Sequence, residues 1–204
     1  MEKAVALLSG GIDSPVAIHL MQERVGIIAA HFHQQPLSGE KELEKVKELV
    51  KVLGVSKVYL IPFTPVLTVL VEKCHHRDYY ILSKIMMFKA AELIAKKENA
   101  TYLITGENLA QVSSQTLSNL TSITKHVSLT ILRPVLTYDK QEIINIAHKI
   151  GTYDISKGPE ICCLLGPKSP STTSRSEDIG KELEKIDVTG ILNESVQKAE
   201  ILTF

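Results

Sequence analysis

The stretch Lys3-Ala4-Val5-Ala6-Leu7-Leu8-Ser9-Gly10-Gly11-Ile12-Asp13-Ser14-Pro15-Val16-Ala17 decides the fold. It opens on a short apolar run, Lys3–Leu8, the pattern of a strand buried on both faces. Two glycines stop the run, and Pro15 then suits the first turn of a helix over Val16–Gln22, where a missing N–H is no loss. A strand that feeds a glycine loop and then a helix makes an anion site. Backbone N–H groups point outward at the helix start, and glycine lets the main chain approach phosphate oxygens. Ser9 and Ser14 add hydroxyl donors beside Gly10 and Gly11. Asp13 would repel phosphate unless a cation lay between them, so its natural role is to hold Mg²⁺ through ATP. A lone glycine pair is more often a tight turn with Asp13 or Ser14 as helix cap; six fitting positions in this context favour the nucleotide. No Lys-Ser or Lys-Thr follows the glycines, which excludes a Walker A loop.

Outward from this loop, short β-branched runs alternate with longer amphipathic segments. Strands are expected at Val25–Phe32, Lys57–Ile61 (stopped by Pro62), Thr101–Thr105 and His126–Leu132. Helices are expected at Lys41–Leu53, Asp78–Lys97, Asn108–Asn119 and Lys140–Ile150, with a weak one near Asn193–Ala199. In Lys41–Leu53 the residues Leu43, Val46, Leu49, Val50 and Leu53 share one face, and Gly54 ends the helix. This alternation predicts an α/β fold: a doubly wound, mainly parallel sheet with helices on both faces. Ligands then collect beyond the carboxyl ends of the first, second and fourth strands. We divide the chain into a core over residues 1–155 and a cysteine-bearing loop with C-terminal extension over 156–204. Ser156–Asp178, rich in Ser, Pro, Thr and Gly, reads as a mobile loop.

Twenty-three basic residues balance twenty-three acidic ones, so the sequence carries no global electrostatic signature of nucleic-acid binding, though a local basic face is compatible with it. No apolar run approaches the ~20 residues of a membrane span, and Ser9-Gly10-Gly11 interrupts any signal-peptide core; a cytoplasmic protein is expected. Three cysteines, Cys74, Cys162 and Cys163, give no disulfide framework, and the adjacent pair invites a chemical explanation.

Ser9-Gly10-Gly11-Ile12-Asp13-Ser14 resembles the pyrophosphatase loop of the adenine-nucleotide α-hydrolase superfamily, whose members adenylate an oxygen and release pyrophosphate. The extension Pro15-Val16-Ala17 narrows the likeness, as does the run Thr105-Gly106-Glu107-Asn108-Leu109-Ala110-Gln111-Val112-Ser113-Ser114-Gln115-Thr116-Leu117. Together with Ile131–Pro134, Asp139-Lys140 and Ile150–Tyr153 they are similar to the catalytic domain of the tRNA 4-thiouridine synthetase (ThiI) family, nearly end to end. The resemblance implies ATP contacts at Leu7, Leu8, His31, Phe32, Lys84, Gly106 and Gln115. Each has a physical counterpart: leucines and a phenylalanine ring to flank adenine, a lysine for phosphate, a glycine for close approach. Gln111 joins Gln115 one helical turn away in the expected helix. His31 with His33, and His75-His76 beside Cys74, are read as ordinary histidines in preference to metal ligands.

The same resemblance gives Cys163 the sulfur-handling role, with Cys162 able to resolve a persulfide into a disulfide. The plainer reading is two small residues packed under a loop. An iron–sulfur cluster on the three cysteines is the lesser alternative. The implied partners are tRNA and a sulfur donor such as a cysteine desulfurase. The family's N-terminal THUMP region and the rhodanese domain of some members are not expected in this sequence, so the grip on tRNA is expected from a separate RNA-binding chain or a dimer. Two other readings stand beside thiolation: an adenylating sulfurtransferase or ligase on a small molecule, for example in thiamine thiazole synthesis, and a non-catalytic ATP- or AMP-binding module.

Overall fold

The computed structural model describes residues 1–109, 112–158 and 165–204. Six strands form one sheet: β1 (Lys3–Leu7), β2 (Gly26–His33), β3 (Lys57–Pro62), β4 (Tyr102–Ile104), β5 (Thr130–Leu132) and β6 (Glu200–Thr203), in the order β5-β4-β1-β2-β3-β6. The first five are parallel, and β6 alone runs antiparallel, pairing Val58 with Leu202 and Tyr59 with Ile201. The chain winds from β1 to β2 and β3, then crosses back to lay β4 on the other flank of β1. That reversal makes the crevice beyond the carboxyl ends of β1 and β4 the topological switch point, where such sheets bind ligands.

The sheet is buried on both faces, and side-chain alternation assigns each residue to one of two cores. Ala4, Ala6, Leu8, Ala29, Val58, Leu60 and Ile104 face α1 (Asp13–Met21), α2 (Glu40–Leu53) and α6 (Lys140–Lys149). Val5, Ile28, Ala30, Phe32, Tyr59, Ile61 and Leu103 face α3 (Thr64–Lys73), α4 (Tyr79–Glu98) and α9 (Val188–Gln197). The continuous apolar reading of the first strand follows from this two-sided burial. Among the described residues no helix is long and apolar enough to cross a membrane.

Local chemistry sets the helix ends. Gly54 adopts φ +64° to close α2, and Asn99 does the same for α4 at φ +54°. Asp139 and Glu142 form a reciprocal capping box that starts α6, each side chain taking the other's backbone N–H at 2.8 Å.

Three expected elements differ. Asn108–Asn119 is not a helix: Val112 and Thr116 are extended, a 3₁₀ turn covers Ser113–Gln115, and α5 begins only at Leu117 and runs to Lys125. Thr116 is the reason, because its hydroxyl caps the Asn119 N–H and a cap residue must itself be non-helical. The strand expected at His126–Leu132 is shortened to Thr130–Leu132, because the His126 and Val127 N–H groups close the end of α5 on the Ile123 and Thr124 carbonyls and those of Ser128 and Leu129 donate to the Glu92 carboxylate. Ser156–Asp178 is not a loop throughout: Ser156 ends α7 (Tyr153–Ser156), and Ser176–Asp178 begins α8 (Ser176–Leu183).

Candidate active site

The loop after β1 holds its own shape. Ser9 N–H donates to Ser14 Oγ at 2.9 Å, the two hydroxyls lie 3.1 Å apart, and Gly11 N–H donates to Ser9 Oγ at 3.2 Å. Ser9 and Ser14 therefore knit the loop together as well as offering hydroxyls. α1 begins at Asp13 with no side-chain cap from Ile12 before it, which leaves its first N–H groups and the positive end of its dipole facing the crevice.

Gly106, at the end of β4, presses on that helix start. A methyl group there would lie 2.5 Å from Ser14 N and 2.7 Å from Asp13 C and Ser14 Cα, all of them backbone atoms. Gly106 is thus required for the loops after β1 and β4 to meet. Gly10 has a second close neighbour: Lys45 of α2 lays its stem across it, with Cδ 2.9 Å from where a Cβ would stand. Lys45 Nζ donates to the Ser156 carbonyl at 3.3 Å, and Ser156 Oγ donates to the Gly11 carbonyl at 3.2 Å. α2 and α7 together fix the back of the loop.

Across the crevice Glu107 binds two cations. Its carboxylate accepts from Lys84 Nζ at 3.0 Å and from Arg133 Nε at 2.8 Å, and its side chain is fully buried. Burial pushes the Glu107 carboxyl up, but Lys84 and Arg133 outweigh it and hold it below the usual carboxylate range. The triad carries a net charge of +1. Lys45 adds another positive charge with no ion-pair partner among the described residues, whereas Asp13 is neutralised by Lys140 at 2.7 Å. An uncapped helix start between these cations is an arrangement for a polyanion.

His31 is 2% exposed. Burial drives its imidazole pKa down to about 4, against the opposing pull of the Leu8 carbonyl 2.9 Å from Nδ1. The ring is neutral near pH 7, and since a carbonyl only accepts, Nδ1 carries the proton. Nε2 is then a lone pair; it lies 3.7 Å from Glu42 Oε1 and has no hydrogen-bond partner in the described structure. Phe32 stacks edge-on against Phe63 with ring centroids 4.8 Å apart and is buried in the α3/α4 layer. Leu8 is buried in the opposite layer, and Leu7 is half-exposed.

Gln115 is held by the Asn108 N–H, which donates to its Oε1 at 3.2 Å. Asn108 in turn donates through Nδ2 to the Val135 and Tyr138 carbonyls, at 2.8 and 2.6 Å. Gln111 lies outside the described residues. Cys162 and Cys163 also lie outside the described residues. Cys74 is half-buried, donates to the Glu182 carbonyl at 3.5 Å, and has its thiol pKa raised by burial and by Glu182. Its thiol therefore ionises less readily than that of a free cysteine. No cluster of three or more metal-ligating side chains occurs among the described residues.

Sequence reasoning missed Lys45, Glu107, Arg133, Asn108 and Lys140 as site residues. Lys45 carried a signal, because with Glu42 it borders the apolar stripe of α2 at helical spacing. Arg133 carried one too, at the carboxyl end of a parallel strand.

The family model described as Thiamine biosynthesis protein (ThiI) matches residues 1–188. A protein from Acetivibrio thermocellus named "Probable tRNA sulfurtransferase" is 40% identical over 208 residues, which cover 98% of this chain and 53% of that one. The crystal structure of a 4-thiouridine synthetase–RNA complex with bound ATP superposes with a TM-score of 0.93 at 34% identity, over 98% of this chain and 54% of that one. The NMN synthetase of Francisella tularensis shares the fold, with a TM-score of 0.61 at 17% identity over 97% of this chain and 86% of that one. The chain spans about half the length of the curated relatives it matches.

Proposed function

This chain belongs to the ThiI family, and on that footing we propose that it activates a uridine of tRNA with ATP and exchanges its O4 for sulfur. The observation that carries the reading is the meeting of the Ser9–Ser14 loop with Gly106-Glu107 at the switch point, between the Lys84–Glu107–Arg133 triad and Lys45. These residues fit a nucleotide triphosphate: free N–H groups at the start of α1, cations on both sides, and half-exposed Leu7 at the mouth of the first strand.

Uridine O4 attacks the α-phosphorus; the new O–P bond forms as the bond to the β-phosphate oxygen breaks, and pyrophosphate leaves. Lys84, Arg133 and the loop N–H groups stabilise that departing charge. Asp13 would hold Mg²⁺, which would supply further charge neutralisation. The terminal sulfur of a Cys163 persulfide attacks C4 and displaces AMP. Attack of Cys162 on Cys163 Sγ then frees 4-thiouridine and leaves a disulfide, which a two-electron reductant reopens.

Described residues on either side of the cysteine pair are anchored at the site. Ser156 bonds the Gly11 carbonyl, and the Leu165 carbonyl accepts from His76 Nε2 at 2.9 Å. Gly166 packs on the Tyr80 hydroxyl, and Tyr80 sits one helical turn from Lys84. This tethering supports a sulfur step beside the ATP loop.

The test is pyrophosphate release with and without unmodified tRNA, coupled to 4-thiouridine formation in the presence of a persulfide donor. Stimulation by tRNA is expected, and a release rate indifferent to tRNA overturns the substrate assignment. Cys163→Ser is expected to keep pyrophosphate release and lose thiolation; full thiolation by that variant overturns the persulfide step.

A further inference from the structure

We propose that the groove between α5 and the start of α8 holds a backbone phosphodiester of the RNA, an inference that rests on the RNA reading above. The groove encloses about 370 Å³. On one wall Ser118, Ser122 and Lys125 lie four and seven residues along α5, so they share a face. The other wall is Ser174, Arg175 and Ser176, where α8 begins.

The floor is rigid. Ser118 Oγ donates to the Ser174 carbonyl at 2.9 Å and accepts the Ser174 N–H at 3.1 Å, while the Ser176 hydroxyl lies 3.2 Å from His126 Nε2. Against this background two hydroxyls stand out. Ser122 is 2% exposed and its Oγ has no hydrogen-bond partner among the described residues; the buried Oγ of Ser174 has none either. A buried hydroxyl left unpaired costs stability, so native structures satisfy it with a ligand, a water or a partner group. Both belong to residues that line the groove.

The rest of the lining specifies a monoanion of low structural demand. Lys125 and Arg175 are exposed and form no ion pair with a described residue; Glu177 is the opposing carboxylate, for a net charge of +1. α8 begins at Ser176 without a side-chain cap from Arg175, which leaves the N–H groups of Ser176 and Glu177 to an anion. Among the described residues no aromatic ring lines the groove, so they offer no platform for a base and read charge alone, the chemistry of a backbone contact. Its place fits as well: Thr124, beside Lys125 on α5, accepts from Arg133 Nη2 at 3.0 Å, and Arg133 is part of the triad at the active site. A strand delivering a nucleotide to that triad passes over α5.

The experiment compares the wild-type protein, the double charge reversal Lys125→Glu with Arg175→Glu, and Ser122→Ala. Binding of unmodified tRNA is measured by fluorescence anisotropy from 50 to 200 mM salt, with tRNA-free ATP binding as the folding control. Each lost phosphate contact lowers the slope of log K against log salt by roughly 0.7–0.9. The double variant is therefore expected to bind tRNA more weakly at 50 mM salt, and its affinity to fall about threefold less than the wild type's across the range. Ser122→Ala is expected to weaken tRNA binding without changing the slope. Wild-type binding matched in affinity and slope by the double variant overturns this proposal and leaves the proposed function standing. A wild-type protein that binds no tRNA overturns both. Inorganic phosphate that shifts the Ser176 and Glu177 amide resonances, in a protein whose tRNA complex leaves them unmoved, shows a free-phosphate site and overturns the proposal.

Discussion

Gly106→Ala should separate the site's geometry from its chemistry. The added methyl would stand 2.5 Å from Ser14 N, and reaching ordinary contact at 3.4 Å needs a movement of 0.9 Å. The nearest atoms are backbone at the start of α1, so no side chain can swing aside to relieve the clash. Overpacking of this kind costs about 1–3 kcal/mol of stability. The functional cost is larger under the proposed function, because the same movement displaces the N–H groups at the start of α1 that the proposal gives to the phosphates. A misplacement near 1 Å is worth about 100-fold in rate, or about 2.7 kcal/mol of transition-state stabilisation. Pyrophosphate release should fall by that factor, while urea unfolding shifts within the stated range. Gly26→Ala is the control, since its methyl would meet nothing closer than 3.6 Å. Gly10→Ala should fall between the two: its clash at 2.9 Å is with the flexible Lys45 stem, which can move, at the loss of that cation's position. The reasoning is refuted if Gly106→Ala releases pyrophosphate as fast as Gly26→Ala.

Four further outcomes follow from the charges. Glu107→Gln leaves Lys84 and Arg133 facing a neutral amide and should cost about 3 kcal/mol in urea unfolding. Because the folded Glu107 pKa is depressed, its contribution is complete above the unfolded value of about 4.3 and is lost as pH falls through the folded one; that part of the acid transition should vanish in the variant. His31, with a folded pKa of about 4, should make stability fall between pH 6.5 and about 4 by up to about 1.4 kcal/mol per pH unit, and His31→Gln should flatten that slope, leaving the smaller share from His33. An unchanged slope means that His31 is charged in the folded protein. Asp13→Asn should raise the Mg²⁺ concentration for half-maximal pyrophosphate release at least tenfold, on the order of 1.4 kcal/mol. Lys140→Ala, which removes a half-exposed partner, should change stability by less than about 1 kcal/mol.

The sheet was legible because parallel strands are buried on both faces and write themselves as continuous apolar runs. Ala4 to Leu8, Ile27 to Phe32 and Val58 to Ile61 each supply both cores by simple alternation. β6 was not legible: Ile201 and Leu202 are a short apolar end whose strand identity comes from Val58 and Tyr59, more than 140 residues away, and local pattern holds no trace of that pairing. Thr64–Lys73 escaped for another reason. Its run Pro65-Val66-Leu67-Thr68-Val69-Leu70-Val71 is β-branched and nearly unpatterned, and it is helical because Val66, Leu67 and Leu70 bury against the α4 layer. Tertiary packing overrode propensity there.

The site divides along the same line between local and distant information. The Ser9–Ser14 loop is a local motif, and the hydrogen bonds among its own residues span at most five positions. The electrostatics that make it a polyanion site are all long-range. Lys45 reaches Gly10 from α2, Arg133 reaches Glu107 from the end of β5, and Lys140 reaches Asp13 across 127 residues. A carboxylate such as Glu107, read in sequence, argues against phosphate. Buried between two cations it does the reverse: it holds Lys84 and Arg133 side by side at a cost that neither cation alone could offset, and the surplus positive charge faces the crevice. The glycine before it serves the same end, since only a residue without a side chain lets that triad approach the start of α1. Gly106 and Glu107 are therefore one device, in which the first sets the distance between the two loops and the second sets the sign of the field between them.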